Sequence, residues 1–158
     1  KAKTNWNEIP ISKEMNTKNL GLQIKDNNEN IFEGGIAVNV GNPHTIFFVD
    51  DINKFDLNKI GPLLENDALF PQKCNITLAR IESKKKIFVK VWERGAGLTK
   101  ACGSAACATA FAAKVNNLIE DNVEVVFELG NLSINIADDN IIKMKGPVSD
   151  IKMIEIEL

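Results

Sequence analysis

Apolar and polar residues alternate in short runs along most of this chain. Leu20-Lys25, Ile36-Val40, Thr45-Val49, Asn75-Ile81, Ile87-Trp92, Val123-Leu129, Leu132-Ile136, Ile141-Lys145 and Ile154-Leu158 all read as strands, because a half-buried sheet places successive side chains on opposite faces. Turn residues separate them: Asp26-Asn27-Asn28, Glu33-Gly34-Gly35, Gly41-Asn42-Pro43, Ser83-Lys84-Lys85, Gly130-Asn131 and Asp138-Asp139-Asn140 carry the Gly, Asn and Asp that tight turns favour. Two segments break the alternation and predict helices. The first runs from an N-cap at Asp56 to about Glu65, and the second, with no internal breaker, from Gly103 to about Leu118. Ala105, Ala106, Ala108, Ala110, Ala112 and Ala113 make the second helix thin nearly all round, so sheet can enclose it on several sides. The expected fold class is α+β, with mostly antiparallel strands curled around a central Ala-rich helix and one further outer helix.

Composition narrows the partners. A 158-residue chain without repeats or linkers reads as one domain, able to bury roughly 70% of its unfolded surface. The formal charge of -2 gives no electrostatic case for nucleic acid or an anionic membrane. Lys84-Lys85-Lys86 reads as a solvated turn. The longest apolar run, around Ala105-Ala113, falls well short of the roughly 20 residues of a membrane span. With no secretory signal either, a cytoplasmic location is expected. Cys74, Cys102 and Cys107 are odd in number and lack CxxC spacing, which argues against a disulfide framework and against a metal site. Chemistry that needs imidazole or guanidinium must use His44, Arg80 or Arg94, since the chain has no others.

The stretch from Glu93 to Ala108 joins a strand end to a helix start. Cys102 falls immediately before the helix, where unpaired N–H groups and the positive end of the macrodipole favour a thiolate. That is one way to make an acid/base group from cysteine near neutral pH. Gly103 and Ser104 leave their backbone N–H groups unshielded, so a carboxylate could dock there. The alternative is a plain Gly-Ala-Gly loop followed by a small buried cysteine. Cys107 and Cys74 read as packing residues. Gly41-Asn42-Pro43-His44 reads as a turn that presents the single imidazole at a strand edge beside an amide.

These motifs resemble the C-terminal half of diaminopimelate epimerase. The resemblance rests first on Glu93-Arg-Gly-Ala-Gly-x-Thr-x-Ala-Cys102-Gly-Ser104. Gly41-Asn42-Pro43-His44 with Asp50-Asp51, Gly61-Pro62-Leu63-Leu64-Glu65 and Asn75 support it, in the family's order from about residue 35 to 146. It implies cofactor-independent interconversion of LL- and meso-diaminopimelate, in lysine and peptidoglycan precursor biosynthesis, by two cysteines on opposite faces of the α-carbon. By resemblance Cys102 is one of these thiols, and Gly103 and Ser104 give N–H groups to the substrate. Asn42, Asn75, Glu93 and Arg94 hold the distal amino-acid end. His44 and Glu93 tune the thiols, His44 facing the partner cysteine and Glu93 facing Cys102.

Two positions depart from the family pattern: Leu98 stands where Glu is expected and Ala105 where Gly is frequent. The family has two similar domains with the site in the cleft between them, and no Cys-Gly-Asn motif precedes Cys102 here. Residues 1–158, opening at Lys1 rather than Met, therefore read as the C-terminal domain of a two-domain enzyme. Residues 151–158 are expected to form a strand that would return to the missing N-terminal domain. One thiol cannot serve both faces, so the fragment is expected to be inactive. Unpaired, its last strand is expected to favour a homodimer. The competing readings are a proline racemase or hydroxyproline epimerase-like enzyme, whose motif resembles Asp-Arg-Ser-Pro-Cys-Gly, and a catalytically dead module that binds a diamino acid.

Overall fold

The computed structural model describes residues 1–25 and 31–148. The turn expected at Asp26-Asn27-Asn28 and the strand and interdomain segment expected within 151–158 lie outside them. Among the described residues, ten strands and two α-helices follow a short 3-10 helix at Trp6–Glu8. The strands are β1 (Leu22–Lys25), β2 (Ile31–Gly34), β3 (Ile36–Asn39), β4 (Pro43–Phe48), β5 (Asn75–Ser83), β6 (Lys86–Glu93), β7 (Gly97–Thr99), β8 (Asn122–Phe127), β9 (Gly130–Ile136) and β10 (Ile142–Lys145). Helix α1 spans Leu57–Glu65 and α2 spans Gly103–Val115. Apart from the small β1-β2 pair, the strands form one sheet in the order β10-β9-β8-β6-β5-β4-β3, with β7 added on β6.

The class is α+β, as expected, and most neighbouring strands are antiparallel. Two pairs, β4 with β5 and β6 with β8, are parallel. Each of these is joined by a crossover that contains a helix, α1 in the first and α2 in the second, as parallel neighbours require. One edge of β6 is divided between two partners. Lys86 to Phe88 pair with β8, and Val91 to Glu93 pair with β7.

Helix α2 lies inside the curl of this sheet. All six alanines singled out above are fully buried and pack among Val38, Ile46, Val89, Val91, Val125, Ile134 and Ile136. On the other face of the sheet, Leu57, Ile60 and Leu64 of α1 meet Ile76, Leu78, Phe55, Phe70 and Trp92. The alternation of β5 divides it between the two cores, Ile76 and Leu78 on the α1 side and Ala79 on the α2 side. The Asp56 carboxylate caps α1 by accepting from the Asn58 N–H at 3.1 Å.

Several boundaries differ from the sequence expectation. Glu33-Gly34 belongs to β2 rather than to a turn, and β7 forms across the Gly-rich run. The β8-β9 hairpin turns at Glu128-Leu129, so Gly130 and Asn131 open β9. Helix α2 ends at Val115, with Asn117 in the left-handed region at φ 58°.

Candidate functional site

Strands β4, β5 and β6 are neighbours, and their adjacent ends carry His44, Asn75 and Glu93. His44 and Asn75 are register partners, and Ile76 pairs with Trp92 one position along. The β3-β4 turn holds Asn42 above this end. Its path is set by Gly41 at φ 124° and by the Asn39 carboxamide, which accepts from the Gly41 N–H at 2.8 Å. The β6-β7 turn closes with the Ala96 N–H on the Glu93 carbonyl at 3.0 Å, and it places Gly95 and Gly97 at φ 77° and 86°. Chain leaving β7 then reaches Cys102, the N-cap of α2.

Cys102 is extended, at φ -152° and ψ 111°, and its side chain makes no capping bond. The thiol turns instead toward two other groups. Its Sγ lies 3.4 Å from the Ser104 hydroxyl, and the nearby Glu93 carboxylate raises its proton affinity. Asn42 donates to the same Ser104 hydroxyl at 3.5 Å, while the Asn42 amide oxygen lies 3.0 Å from His44 Nε2. With the amide nitrogen turned to Ser104, Nε2 carries the ring proton. A polar relay thus runs from His44 through Asn42 and Ser104 to Cys102. In front of the thiol is an open cavity of about 260 Å³ lined by Gly103, Leu129, Leu132 and Pro147 among others, and the Met144 thioether packs on Gly103. A larger cavity of about 490 Å³ between β7 and β8 includes neither Cys102 nor His44.

The remaining residues named from sequence occupy distinct places. Asn75 clamps two loops, donating to the Pro43 carbonyl at 2.8 Å and accepting from the Arg94 N–H at 2.9 Å. Arg94 is exposed, with Nη1 donating to the Gln72 carbonyl at 2.8 Å. Cys74 is fully buried against the Thr45 hydroxyl at 3.2 Å, and Cys107 packs at the margin of the α2 core. All three cysteines are free. Among the described residues no group of three His, Cys, Asp or Glu side chains converges to hold a metal, and no helix is long and apolar enough to cross a membrane.

A family profile described as diaminopimelate epimerase matches residues 36–151. The diaminopimelate epimerase of Pelagibacter ubique strain HTCC1062 is 61% identical over 99% of this chain and 57% of its own length. Those of Rhodopseudomonas palustris strain TIE-1 and Nitrobacter hamburgensis are 47% and 44% identical, over 91% and 92% of this chain and 50% and 51% of theirs. This chain belongs to the diaminopimelate epimerase family. It spans about half the length of the curated relatives it matches. A solved Bacillus anthracis phenazine biosynthesis protein of the PhzF family covers 67% of this chain and 34% of its own at a TM-score of 0.48 and 16% identity, too distant to bear on the site.

In this member of the diaminopimelate epimerase family the resting thiol differs from the sequence expectation of a thiolate. Burial pushes the Cys102 pKa above the usual thiol value; the Ser104 hydroxyl and Ala105 N–H pull it down, and Glu93 adds to the rise. Desolvation is the largest of these effects, so Cys102 rests protonated near neutral pH. Burial, with the Arg94 charge adding to it, lowers His44 to about 4, leaving a neutral ring whose buried Nδ1 has no partner. Burial also raises Cys74 to about 12, so that thiol stays inert.

Sequence reasoning left one group out of the site. Glu65, the last residue of α1, is 5% exposed, and its carboxylate accepts from Trp92 Nε1 at 2.7 Å and from the Gly95 N–H at 3.1 Å. A signal for it was present. An acid at a helix C-terminus meets the negative end of the dipole, and burial there requires donors from elsewhere.

Proposed function

We propose that this chain supplies Cys102 as one of the two acid/base thiols of a cofactor-independent epimerase that interconverts LL- and meso-diaminopimelate in lysine and peptidoglycan precursor biosynthesis. The observation that carries the reading is a thiol at the start of α2 that lies beside the Ser104 hydroxyl, has its proton affinity raised by the nearby Glu93 carboxylate, and opens on a cavity. One thiolate takes the α-proton and becomes a thiol while the opposite thiol gives its proton to the other face, so the pair exchanges protonation states in each turnover. Cys102, protonated at rest, stands as the donor. Backbone N–H groups of Gly103 and Ser104 stabilise the substrate carboxylate as charge develops beside it. Asn42, Asn75, Glu93 and Arg94 hold the distal amino-acid end, Arg94 through guanidinium donors that Gln72 does not use. His44 and Glu93 set the proton affinities of the two thiols.

The second thiol belongs, in this reading, to an N-terminal domain absent from the 158 residues. The protein works in the cytoplasm on a small-molecule substrate. The chain alone is expected to form no meso-diaminopimelate from the LL isomer in deuterium oxide. Joined behind the N-terminal half of the 61% identical relative, it is expected to restore conversion, and Cys102→Ala in that fusion to reduce the rate at least about a thousandfold. Conversion by the chain alone, proportional to protein and abolished by Cys102→Ala, would overturn the two-thiol reading. A fusion that binds diaminopimelate without converting it would favour the binding module.

The homodimer belongs to the same proposal. Exposed apolar Leu129 and Met144 lie toward the Cys102 end of the domain, and self-association would cover them. Small-angle scattering of the chain over a concentration series is expected to show dimers, and a monomer profile at every concentration would rule them out.

A further inference from the structure

We propose that Glu65 is a positioning residue that holds Glu93 against the Cys102 thiol. Glu93 and Arg94 are bracketed in sequence by Trp92 and Gly95, and the Glu65 carboxylate takes one hydrogen bond from each bracket: Oε2 from the Trp92 indole and Oε1 from the Gly95 backbone. Two acceptors on one rigid group thus hold both ends of the dipeptide that carries the turn. The group itself is fixed. Gly61, one helical turn earlier on α1, lies so close to Trp92 that an added Cβ would fall 2.5 Å from the ring, which seats the helix against the indole from the same side. Lys73 Nζ, 3.6 Å from Oε1, balances the charge.

Without this brace the turn has weaker restraints. The Ala96 to Glu93 bond closes it locally, and Asn75 holds only the Arg94 N–H. Sheet pairing of Trp92 with Ile76 and Leu98 and of Glu93 with Gly97 sets the strand backbone, but it leaves the turn beyond Glu93 to these two bonds. The Glu65 carboxylate adds a hold on both flanks of Glu93 and Arg94, through the Trp92 ring inside β6 and the Gly95 N–H in the turn that follows it. A glutamine at 65 keeps the size of the side chain but presents an NH2 group to one of two N–H donors, so one of the two bonds is lost. Glu93 then swings from the thiol, removing its raising effect from Cys102.

The test needs no substrate, so it stands or falls independently of the epimerase reading. Alkylation of Cys102 by iodoacetamide is followed across pH by peptide mass spectrometry in the full chain. Glu65→Gln is expected to lower the pH midpoint by about 0.5 to 1, raising the rate several-fold below the midpoint. Glu93→Gln is expected to do the same, and the double variant to shift no further than Glu93→Gln alone. Trp92→Phe, which keeps the ring over Gly61 but removes the indole donor, is expected to give a smaller shift in the same direction. A Glu65→Gln chain that melts earlier while its Cys102 profile matches the original would make Glu65 purely structural and overturn the proposal. Shifts from Glu65→Gln and Glu93→Gln that add in full would overturn it too, since the two would then act by separate routes.

Discussion

Acidification from pH 6.5 to about 4 is expected to cost the fold roughly 3 kcal/mol through His44 alone. His44 is fully buried and neutral in the fold, with its pKa lowered from 6.5 to about 4 by desolvation and then by the Arg94 charge. As pH falls, the unfolded chain takes up this proton first. Stability from the neutral ring is therefore complete above pH 6.5 and is lost progressively as pH falls through about 4. Asn42 and the cross-strand Asn75 are uncharged and the nearby Arg94 is cationic, so none of these supplies a counter-charge to an imidazolium. Urea unfolding at pH 7, 5.5 and 4.5 reads the effect as a falling midpoint. His44→Gln removes the titration, and its midpoint is expected to fall less steeply over the same interval. Parallel curves for the two proteins would show that other groups drive the acid sensitivity.

Gly61→Ala is expected to destabilise the chain by about 1 to 2 kcal/mol, although alanine is the better helix former. In an open helix the change would gain up to about 1 kcal/mol. Here the new methyl would stand 2.5, 2.6 and 2.9 Å from three atoms of the Trp92 ring, well inside contact distance. Trp92 cannot retreat cheaply, since its indole N–H is held by Glu65 and its backbone pairs with Ile76 and Leu98. Overpacking of this kind costs about 1 to 3 kcal/mol, which exceeds the propensity gain. Thermal melting should fall by roughly 3 to 8 °C. The same melt of Gly61→Ala in a Trp92→Leu background separates the two terms: with the ring gone, alanine should become neutral or stabilising. A destabilisation unchanged in that background would place the cost elsewhere.

The elements were readable from sequence where the pattern was local. Alternation located β3, β4, β5, β6, β8, β9 and β10 to within a few residues, and the alanine run of α2 announced a helix surrounded by other structure. Strand β7 was hidden because Gly97-Leu98-Thr99 is too short for a period, and β2 because Glu33-Gly34 carries turn chemistry. The parallel pairings were hidden for a different reason. Alternation specifies which face a side chain takes and says nothing about the direction of the strand beside it. At the site, Cys102 before its helix and Glu93 near it were legible through the Glu-Arg-Gly-Ala-Gly motif. The relay through the Ser104 hydroxyl depends on rotamers two residues apart. Glu65 depends on contacts 27 and 30 residues away, which no local pattern encodes. The protonated state of Cys102 also required the structure, because the helix terminus and burial act in opposite directions and only the packed surroundings decide which is larger.

Enclosure of α2 by strands from both sides of it in sequence also governs how the domain assembles. Strands β3 and β4 precede the helix by more than fifty residues, and β9 and β10 follow it, so its burial is built almost wholly from long-range contacts. Closing such loops is slow relative to forming a helix, which places completion of this core late in folding. During synthesis Cys102 emerges before β8, β9 and β10 exist to cover the helix. For that interval its thiol lacks the desolvation that the finished core supplies and is more exposed to oxidants than the buried, resting thiol of the folded domain.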